Sequence, residues 1–181
     1  MNQEQAAIEL GHVHLYVRSL TRSMTFYSRI FGLEPTERVD QAMAFLTSSA
    51  KHHTIALQAL GESAGPPAPG RVGLYHVAFE VPDPAALEAA LGRLDQEGVG
   101  WQAVDHGISW AVYFSDPDGN GLELYVDRRG SDGGRNRWGG ASRALPREVI
   151  RKAATSESSE GAPGWAARWR RSGSSGTTRP S

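Results

Sequence analysis

Cysteine is absent from this chain of 181 residues. Disulfide bonds and thiolate metal sites are therefore excluded, so a metal site would have to use histidine and carboxylate ligands. Long apolar runs are also lacking, and residues 1–5 carry no basic stretch ahead of an apolar one. We therefore expect no signal peptide and no membrane span, with the cytoplasm as the location. Hydrophobic residues make up 39% of the chain, a modest share that leaves part of it outside a core.

The net charge of −1 hides two segments of opposite sign, because residues 1–129 sum to −7 and residues 130–181 to +6. The second segment is rich in Gly, Ser and Arg. Apart from a short helix near 145–155, it has too few apolar residues to offset the entropy of ordering. We therefore predict a domain over 1–129 and a basic, largely disordered tail over 130–181. Arg and Trp in this tail could contact nucleic acid or a membrane, but a solvated extension is the interpretation we favour.

The first half of the domain reads as a strand, a helix and three further strands. Residues 8–17 alternate in polarity, which is typical of a strand with one buried face. The expected core face holds Val13, Leu15 and Val17, and the opposite face holds His12, His14 and Tyr16. A helix over 20–31 would begin after Ser19 and end at Gly32, with strands near 34–39, 42–48 and 52–58. Gly and Pro then make 61–72 a linker.

The same pattern restarts after this linker. Residues 75–81 line up with 11–17, which places His76 where the first half has His12. A helix over 84–97 would be capped by Asp83 and closed by Gly98, and strands follow near 100–105, 109–115 and 121–127. The chain therefore contains two βαβββ modules, about 8–60 and 73–127, within one α+β domain rather than a solenoid.

Glu123 lies between Leu122 and Leu124 in the last of these strands, directly after the turn 116–121. Burying a carboxylate is costly unless a cation or a metal neutralises it. If the two modules form curved sheets that face each other, Glu123 converges with the duplicated histidines His12 and His76. Two imidazoles and one carboxylate form the facial triad of non-haem Fe(II) oxygenases. The alternative is that each histidine is a satisfied interior residue and Glu123 meets an arginine, but the duplication favours the metal site.

Four segments carry a resemblance to a known family: 11–15, 23–33, 75–81 and 116–125. They resemble the vicinal oxygen chelate superfamily, which includes glyoxalase I, fosfomycin-resistance proteins and type I extradiol ring-cleavage dioxygenases. The resemblance implies a single domain of paired βαβββ modules with a metal site in the cupped sheet. It also implies His12, His76 and Glu123 as the metal ligands.

Three further residues resemble positions of the extradiol dioxygenases. His53, next to Thr54, matches the histidine that acts as an acid/base group on oxygen intermediates. His106, in Asp105-His106-Gly107, and Tyr113 match two residues of the substrate pocket. The resemblance thus implies His53, His106 and Tyr113 as catalytic residues, with His106 and Tyr113 binding substrate. His14 lies on the same strand face as His12, so we expect it to line the pocket as a further substrate-binding residue.

Two points of alignment stay open within the first module. Ala56 falls where glyoxalase I has a further ligand, which would leave three protein ligands and open positions on the metal. A register two residues later would put Gln58 there instead. Strict alternation also places His52, and not His53, on the same face as Ala56, so either histidine could be the acid/base group.

The implied function is extradiol cleavage of a catechol-type aromatic diol by O2, with Fe(II) as the cofactor and Mn(II) as the alternative metal. A glyoxalase-like metal-dependent isomerase, a thiol transferase, or a non-catalytic binding or resistance module are the rival interpretations. Small one-domain members of the superfamily often pair, which implies a homodimer or a higher homo-oligomer. The diol and O2 are the expected partners, with no nucleic acid and no membrane.

Overall fold

The computed structural model describes residues 8–68, 70–131 and 133–157. The first module contains β1 (Val13–Val17), α1 (Leu20–Phe31), β2 (Glu34–Val39), β3 (Met43–Thr47) and β4 (Ile55–Ala59). The second contains β5 (Val77–Glu80), α2 (Pro84–Gln96), β6 (Gln102–Asp105), β7 (Ser109–Ser115) and β8 (Gly121–Asp127). A short strand β9 (Arg143–Ala144) and a helix α3 (Arg147–Glu157) follow. In the described part of the chain, no helix combines the length and the apolar character needed to cross a membrane.

Local sequence signals account for where these elements lie. In β1, Leu15 and Val17 are buried while the alternate residue Tyr16 is exposed, as the pattern predicts. Helix α1 ends at Gly32, which adopts the left-handed conformation with φ of 66°. Helix α2 begins at Asp83, whose carboxylate accepts a hydrogen bond from the Ala86 N–H at 2.7 Å.

The two modules form two separate mixed sheets with matching topology. Their strand orders are β1-β4-β3-β2 and β5-β8-β7-β6-β9. In each, the first strand runs parallel to the last strand of its module, and the other pairings are antiparallel. Val13 lies opposite Ile55 in one sheet, and Val77 lies opposite Leu122 in the other. The predicted α+β class and its duplication are confirmed down to the strand register.

One hydrophobic core joins the modules, because α1 packs against both of them. The ring of Phe31, at the end of α1, lies 4.1 Å from Phe79 of β5 and 5.9 Å from Phe114 of β7. Leu87 and Leu91 of α2 are fully buried in the same cluster. Each such leucine contributes roughly 1.5–3 kcal/mol through burial alone.

A polar clamp also connects the modules, at the turn that precedes β8. Asp118 accepts hydrogen bonds from the Arg22 guanidinium at 2.6 Å and from the Arg18 backbone N–H at 3.1 Å. Asp116 accepts one from the Tyr27 hydroxyl at 3.2 Å, and its other oxygen accepts from two N–H groups of its own turn. The Asp116 carboxylate therefore fixes the shape of the turn. Asp116 and Asp118 together attach the turn to α1 and to the residues just before it.

The structure differs from the predicted boundary at Arg129, because ordered packing continues to the end of α3. This helix coincides with the segment near 145–155, and it packs on α2. Leu145 and Ile150 are buried in the core, and Arg147 bonds to Glu88 at 2.9 Å. Two apolar anchors and an ion pair thus suffice to order a segment of low overall hydrophobicity. The rest of the predicted disordered tail, 158–181, lies outside the described residues.

Candidate active site

Glu123 faces His76. The carboxylate is only 8% exposed, and its Oε2 lies 2.8 Å from His76 Nε2. The parallel pairing of β5 with β8 brings them together, since Ala78 lies opposite Glu123 and His76 precedes it by two residues. Gly121 permits this approach, because a Cβ at that position would lie 2.2 Å from the Tyr75 carbonyl oxygen.

Tyr113 and His106 extend this pair. Tyr113 lies opposite Glu123 in the β7–β8 pairing. Burial, and then the negative charge of Glu123, raises the pKa of Tyr113 to about 12, so its hydroxyl stays protonated near neutral pH. His106 Nε2 lies 2.9 Å from the Tyr113 hydroxyl. We call His76, Glu123, Tyr113 and His106 the polar half-site.

Two residues beyond the predicted domain also contact His106. The Ser142 hydroxyl lies 2.7 Å from His106 Nδ1, and the Trp138 ring meets the imidazole edge to face at 5.9 Å. Sequence reasoning assigned both residues to the tail. The one signal that could have found them is an isolated aromatic residue within a Gly-rich stretch, and that signal is weak.

The first module carries a separate histidine cluster, formed by His12, His52 and His53. His12 is exposed and its ring lies 4.4 Å from that of His53, which lies 5.0 Å from the Phe45 ring. His52 links this cluster to Glu37, with its Nδ1 2.9 Å from His53 Nδ1 and its Nε2 3.3 Å from a Glu37 oxygen. Partial loss of hydration, followed by the nearby imidazoles of His12 and His52, lowers the pKa of His53, which favours its neutral form. His53 is thus the histidine beside the predicted ligand His12.

The strand register shows what each module holds at equivalent places. Ala56 lies opposite Phe45, and Glu123 lies opposite Tyr113. Because the modules match in register, Ala56 and Phe45 are the counterparts of Glu123 and Tyr113. Gln58 is not the counterpart of Glu123, since it lies two residues further along β4. At these two places the second module is therefore polar and the first is apolar.

The predicted triad does not come together within the described part of this single chain. No three His, Cys, Asp or Glu side chains there lie close enough to hold a metal ion. The physical reason is that no strand pairing joins the two sheets, so the register that fixes His76 against Glu123 does not fix His12. His76 and Glu123 supply two suitable donors for a divalent metal. The buried Nδ1 of His76 has no hydrogen-bond partner among the described residues.

His14 also lies away from the polar half-site. It lines a cavity of about 360 Å³ between β1 and the linker, together with Tyr16, Pro66 and Pro67. The predicted substrate-binding residues therefore separate into His106 and Tyr113 in one place and His14 in another.

Comparison with known proteins identifies the family of the chain. Residues 9–124 match the model of the Glyoxalase/Bleomycin resistance protein/Dioxygenase superfamily. The matched residues run from just before β1 into β8 and include His12, His76 and Glu123. The chain belongs to this superfamily, as the resemblance implied.

Two curated relatives have names that specify a reaction. The chain is 38% identical over 130 residues to a protein of Bacillus subtilis named Catechol-2,3-dioxygenase, covering 72% of this chain and 45% of that relative. It is 32% identical over 126 residues to Biphenyl-2,3-diol 1,2-dioxygenase 3 of Rhodococcus globerulus, covering 65% of this chain and 63% of that relative. The chain thus spans about half to two thirds of the length of these two relatives.

Solved structures support the fold. A glyoxylase/bleomycin resistance protein/dioxygenase domain from Frankia sp. matches with a TM-score of 0.61 and 25% identity, over 71% of this chain and 98% of that one. A lactoylglutathione lyase from Agrobacterium tumefaciens matches with a TM-score of 0.52 and 23% identity, over 68% of this chain and 96% of that one. Proteins named for different reactions share this fold, so the fold does not define the chemistry.

Proposed function

We propose that the protein is an extradiol dioxygenase, which cleaves the ring of a catechol-type diol with O2. The observation that carries the proposal is the polar half-site, in which Tyr113 and His106 stand directly beside the His76–Glu123 pair. The names of the two curated relatives support the same reaction. The diol and dioxygen are the only reactants, since both oxygen atoms enter the product as the carbon–carbon bond beside the diol breaks.

His76 and Glu123 would hold Fe(II), or Mn(II) as the alternative, whereas the predicted third ligand His12 lies apart from them within the described part of the chain. An imidazole and a carboxylate suit either ion. Bound Fe(II) would acidify the diol hydroxyls and supply the electron transfer to dioxygen. Ala56 stands at the counterpart of Glu123 and has only a methyl group, so this position adds no ligand.

The protein's own residues bind and orient the diol and move protons. Tyr113 remains a phenol and can donate a hydrogen bond to a diol oxygen, while His106 holds the Tyr113 hydroxyl in place. His53, with its lowered pKa, is a neutral imidazole that can accept a proton and return it. Phe45 provides an apolar surface beside His53 for an aromatic ring.

The rival functions make different demands on the site. A glyoxalase-like isomerase or thiol transferase would use a metal without consuming O2, and a binding module would need no metal at all. A fourth ligand of the kind that glyoxalase I provides would have to come from Ala56, which cannot coordinate. This residue therefore favours the dioxygenase over the isomerase.

Anaerobic reconstitution tests the proposal. The full chain is loaded with Fe(II), mixed with catechol or a substituted catechol, and then exposed to air. We expect oxygen uptake together with a yellow ring-opened product that absorbs in the near-visible region. Metal binding with no oxygen uptake across a panel of diols would overturn the proposal and favour the isomerase class.

The role of His53 has a matched control in its neighbour His52. His53→Gln should lower turnover while Fe(II) stays bound, because the amide cannot move a proton at this place. His52→Gln should have a smaller effect, because an amide at this position can still hydrogen-bond to His53 Nδ1 and to Glu37, the two groups that His52 contacts. Loss of iron from the His53 variant would instead mean that His53 helps to hold the metal.

A further inference from the structure

The segment that follows β8 is fastened over the loop that carries His106. We call residues 133–144 the extension, and it lies beyond the residues 9–124 that match the family model. Near its start, the Arg135 N–H donates to the Gly107 carbonyl at 2.8 Å. At its end, β9 pairs with β6, the strand that leads into this loop. The extension is therefore held against the site from both of its ends.

Trp138 lies between these two attachments and against His106. Its ring meets the His106 imidazole edge to face, with the ring centroids 5.9 Å apart. The indole N–H donates to the Ala141 carbonyl at 3.1 Å, so the backbone of the extension fixes the orientation of the ring. Trp138 is nevertheless 48% exposed. A large aromatic side chain is thus held in one orientation beside the polar half-site, with about half of its surface free for a further contact.

Trp138 is the outer member of a row of aromatic rings that begins at His76. The ring of Tyr113 lies 5.6 Å from that of His76, and the ring of His106 lies 6.1 Å from that of Tyr113. Trp138 follows next to His106. A diol whose oxygens lie at His76 and Glu123 has its own ring beside the inner members of this row. A substituent that extends from that ring along the row reaches Trp138.

We propose that Trp138 is a specificity-determining residue of the candidate active site, which packs against a flat apolar substituent on the ring of the diol. The only polar group of its side chain, the indole N–H, is already used within the extension, so the free part of the side chain is apolar. Aromatic rings pack on such a surface in edge-to-face or offset arrangements. The ligand class is therefore an aryl-substituted catechol. This inference rests on the proposed function, but the preference can be measured without turnover.

Calorimetric titration of the full chain, loaded with Zn(II) and kept free of oxygen, tests this preference. Zn(II) has no redox chemistry, so a diol binds without being consumed. The probes are catechol, 3-phenylcatechol and 4-phenylcatechol. We expect the better of the two phenyl derivatives to bind the wild type about tenfold more tightly than catechol, since one aromatic contact contributes a factor of this order. Trp138→Ala should remove most of this difference.

Two variants separate the ring from its hydrogen bond. Trp138→Phe keeps an aromatic face but loses the N–H that bonds to Ala141, so it should keep most of the preference. Trp101→Phe is the matched control, because the Trp101 N–H donates to Asp95 at 2.9 Å, outside the extension. It should leave the preference unchanged. Equal losses in Trp138→Ala and Trp138→Phe would mean that the hydrogen bond matters and the ring does not, which would overturn the proposal.

A wild type that binds catechol at least as tightly as both phenyl derivatives, or that binds none of the three, would also overturn the proposal. So would tighter binding of 3,4-dihydroxybenzoate, whose carboxylate would instead favour the neighbouring Arg135 and Arg137. In turnover with Fe(II), Trp138→Ala should lower kcat/KM about tenfold more for the preferred phenyl derivative than for catechol. A Zn(II)-loaded chain with the expected preference, together with an Fe(II)-loaded chain that consumes no oxygen, would refute the dioxygenase function and still support the role of Trp138.

Discussion

Asp118 offers a quantitative test of how the two modules are held together. Its side chain is only 5% exposed, and it accepts hydrogen bonds from the Arg18 N–H, the Arg22 guanidinium and the Ser23 hydroxyl. All three donors belong to the first module, whereas Asp118 lies in the second. Replacing Asp118 with Asn removes the charge and keeps the shape of the side chain, so it isolates the electrostatic part of this clamp.

The expected loss can be worked out from these contacts. A hydrogen bond to a charged group contributes about 1.5–3 kcal/mol. The Arg22 side chain is 41% exposed, so its contribution is screened towards the value of about 0.2–1 kcal/mol for a surface ion pair. The Ser23 contact is long at 3.3 Å and adds little. The amide of Asn can still accept from the Arg18 N–H, but this hydrogen bond loses about 1–1.5 kcal/mol because the acceptor is now neutral. We therefore expect Asp118→Asn to lower the free energy of unfolding by about 2 kcal/mol. Asp118→Ala should lower it by about 3 kcal/mol, because no acceptor remains.

Urea denaturation followed by circular dichroism measures these losses. A loss of about 2 kcal/mol corresponds to a fall in Tm of roughly 4–8 °C for a domain of this size. Asp127→Asn is the control, because Asp127 forms its ion pair with the exposed Arg129 and should lose less than about 1 kcal/mol. If Asp118→Asn unfolds with the wild-type midpoint, or loses no more than the control, the clamp does not hold the modules together and our reasoning is refuted.

Three further perturbations test other parts of the structure. Glu123→Gln should weaken Fe(II) binding, as measured by chelator competition. Loss of a residue that only hydrogen-bonds to a metal ligand costs roughly 10–100-fold in affinity, so loss of a ligand itself should cost more. Unchanged affinity would exclude Glu123 as a ligand. Burial and the charge of Asp116 raise the pKa of Tyr27, so the stability that its phenol provides is complete below about pH 10 and is lost as the pH rises further. Tyr27→Phe should therefore flatten the alkaline fall in unfolding free energy, and an equally steep fall would contradict this assignment. Ile150→Ala should lower the free energy of unfolding by about 2–4 kcal/mol, because Ile150 is fully buried. The neighbouring Val149 is 40% exposed, so Val149→Ala should lower it far less. Equal losses would show that α3 is not part of the core.

Elements with a strong local pattern could be predicted from the sequence. Helix α1 occupies 20–31 as predicted, and β7 and β8 match their predicted ranges. Their apolar residues recur at every second position in the strands and at every third or fourth position in the helices. Gly32 and Asp83 are residue types that favour a helix C-terminus and a helix N-terminus, respectively. The pairing of Glu123 with His76 could also be foreseen, since the duplication of the opening strands identified His76 and the apolar neighbours Leu122 and Leu124 identified Glu123.

Contacts between distant parts of the chain could not be predicted in the same way. Ser142 meets His106 across 36 residues, through a loop with no periodic pattern. Helix α3 depends on Leu145 and Ile150 finding a place in a core that the rest of the chain builds. The separation of His12 from Glu123 depends on how two sheets sit relative to each other, and no alternation of residue types along a strand encodes that.

The matched register of the two modules offers a way to test metal binding through folding stability. Ala56 occupies, in the first module, the place that Glu123 occupies in the second, and it is fully buried. An Ala56→Glu variant would put a second carboxylate where no solvent reaches it, which costs several kcal/mol without a cation. A metal ion that binds this carboxylate would recover part of that loss in proportion to the logarithm of its concentration. The free energy of unfolding of this variant, measured at increasing metal concentration, would then report how much of the protein has metal bound.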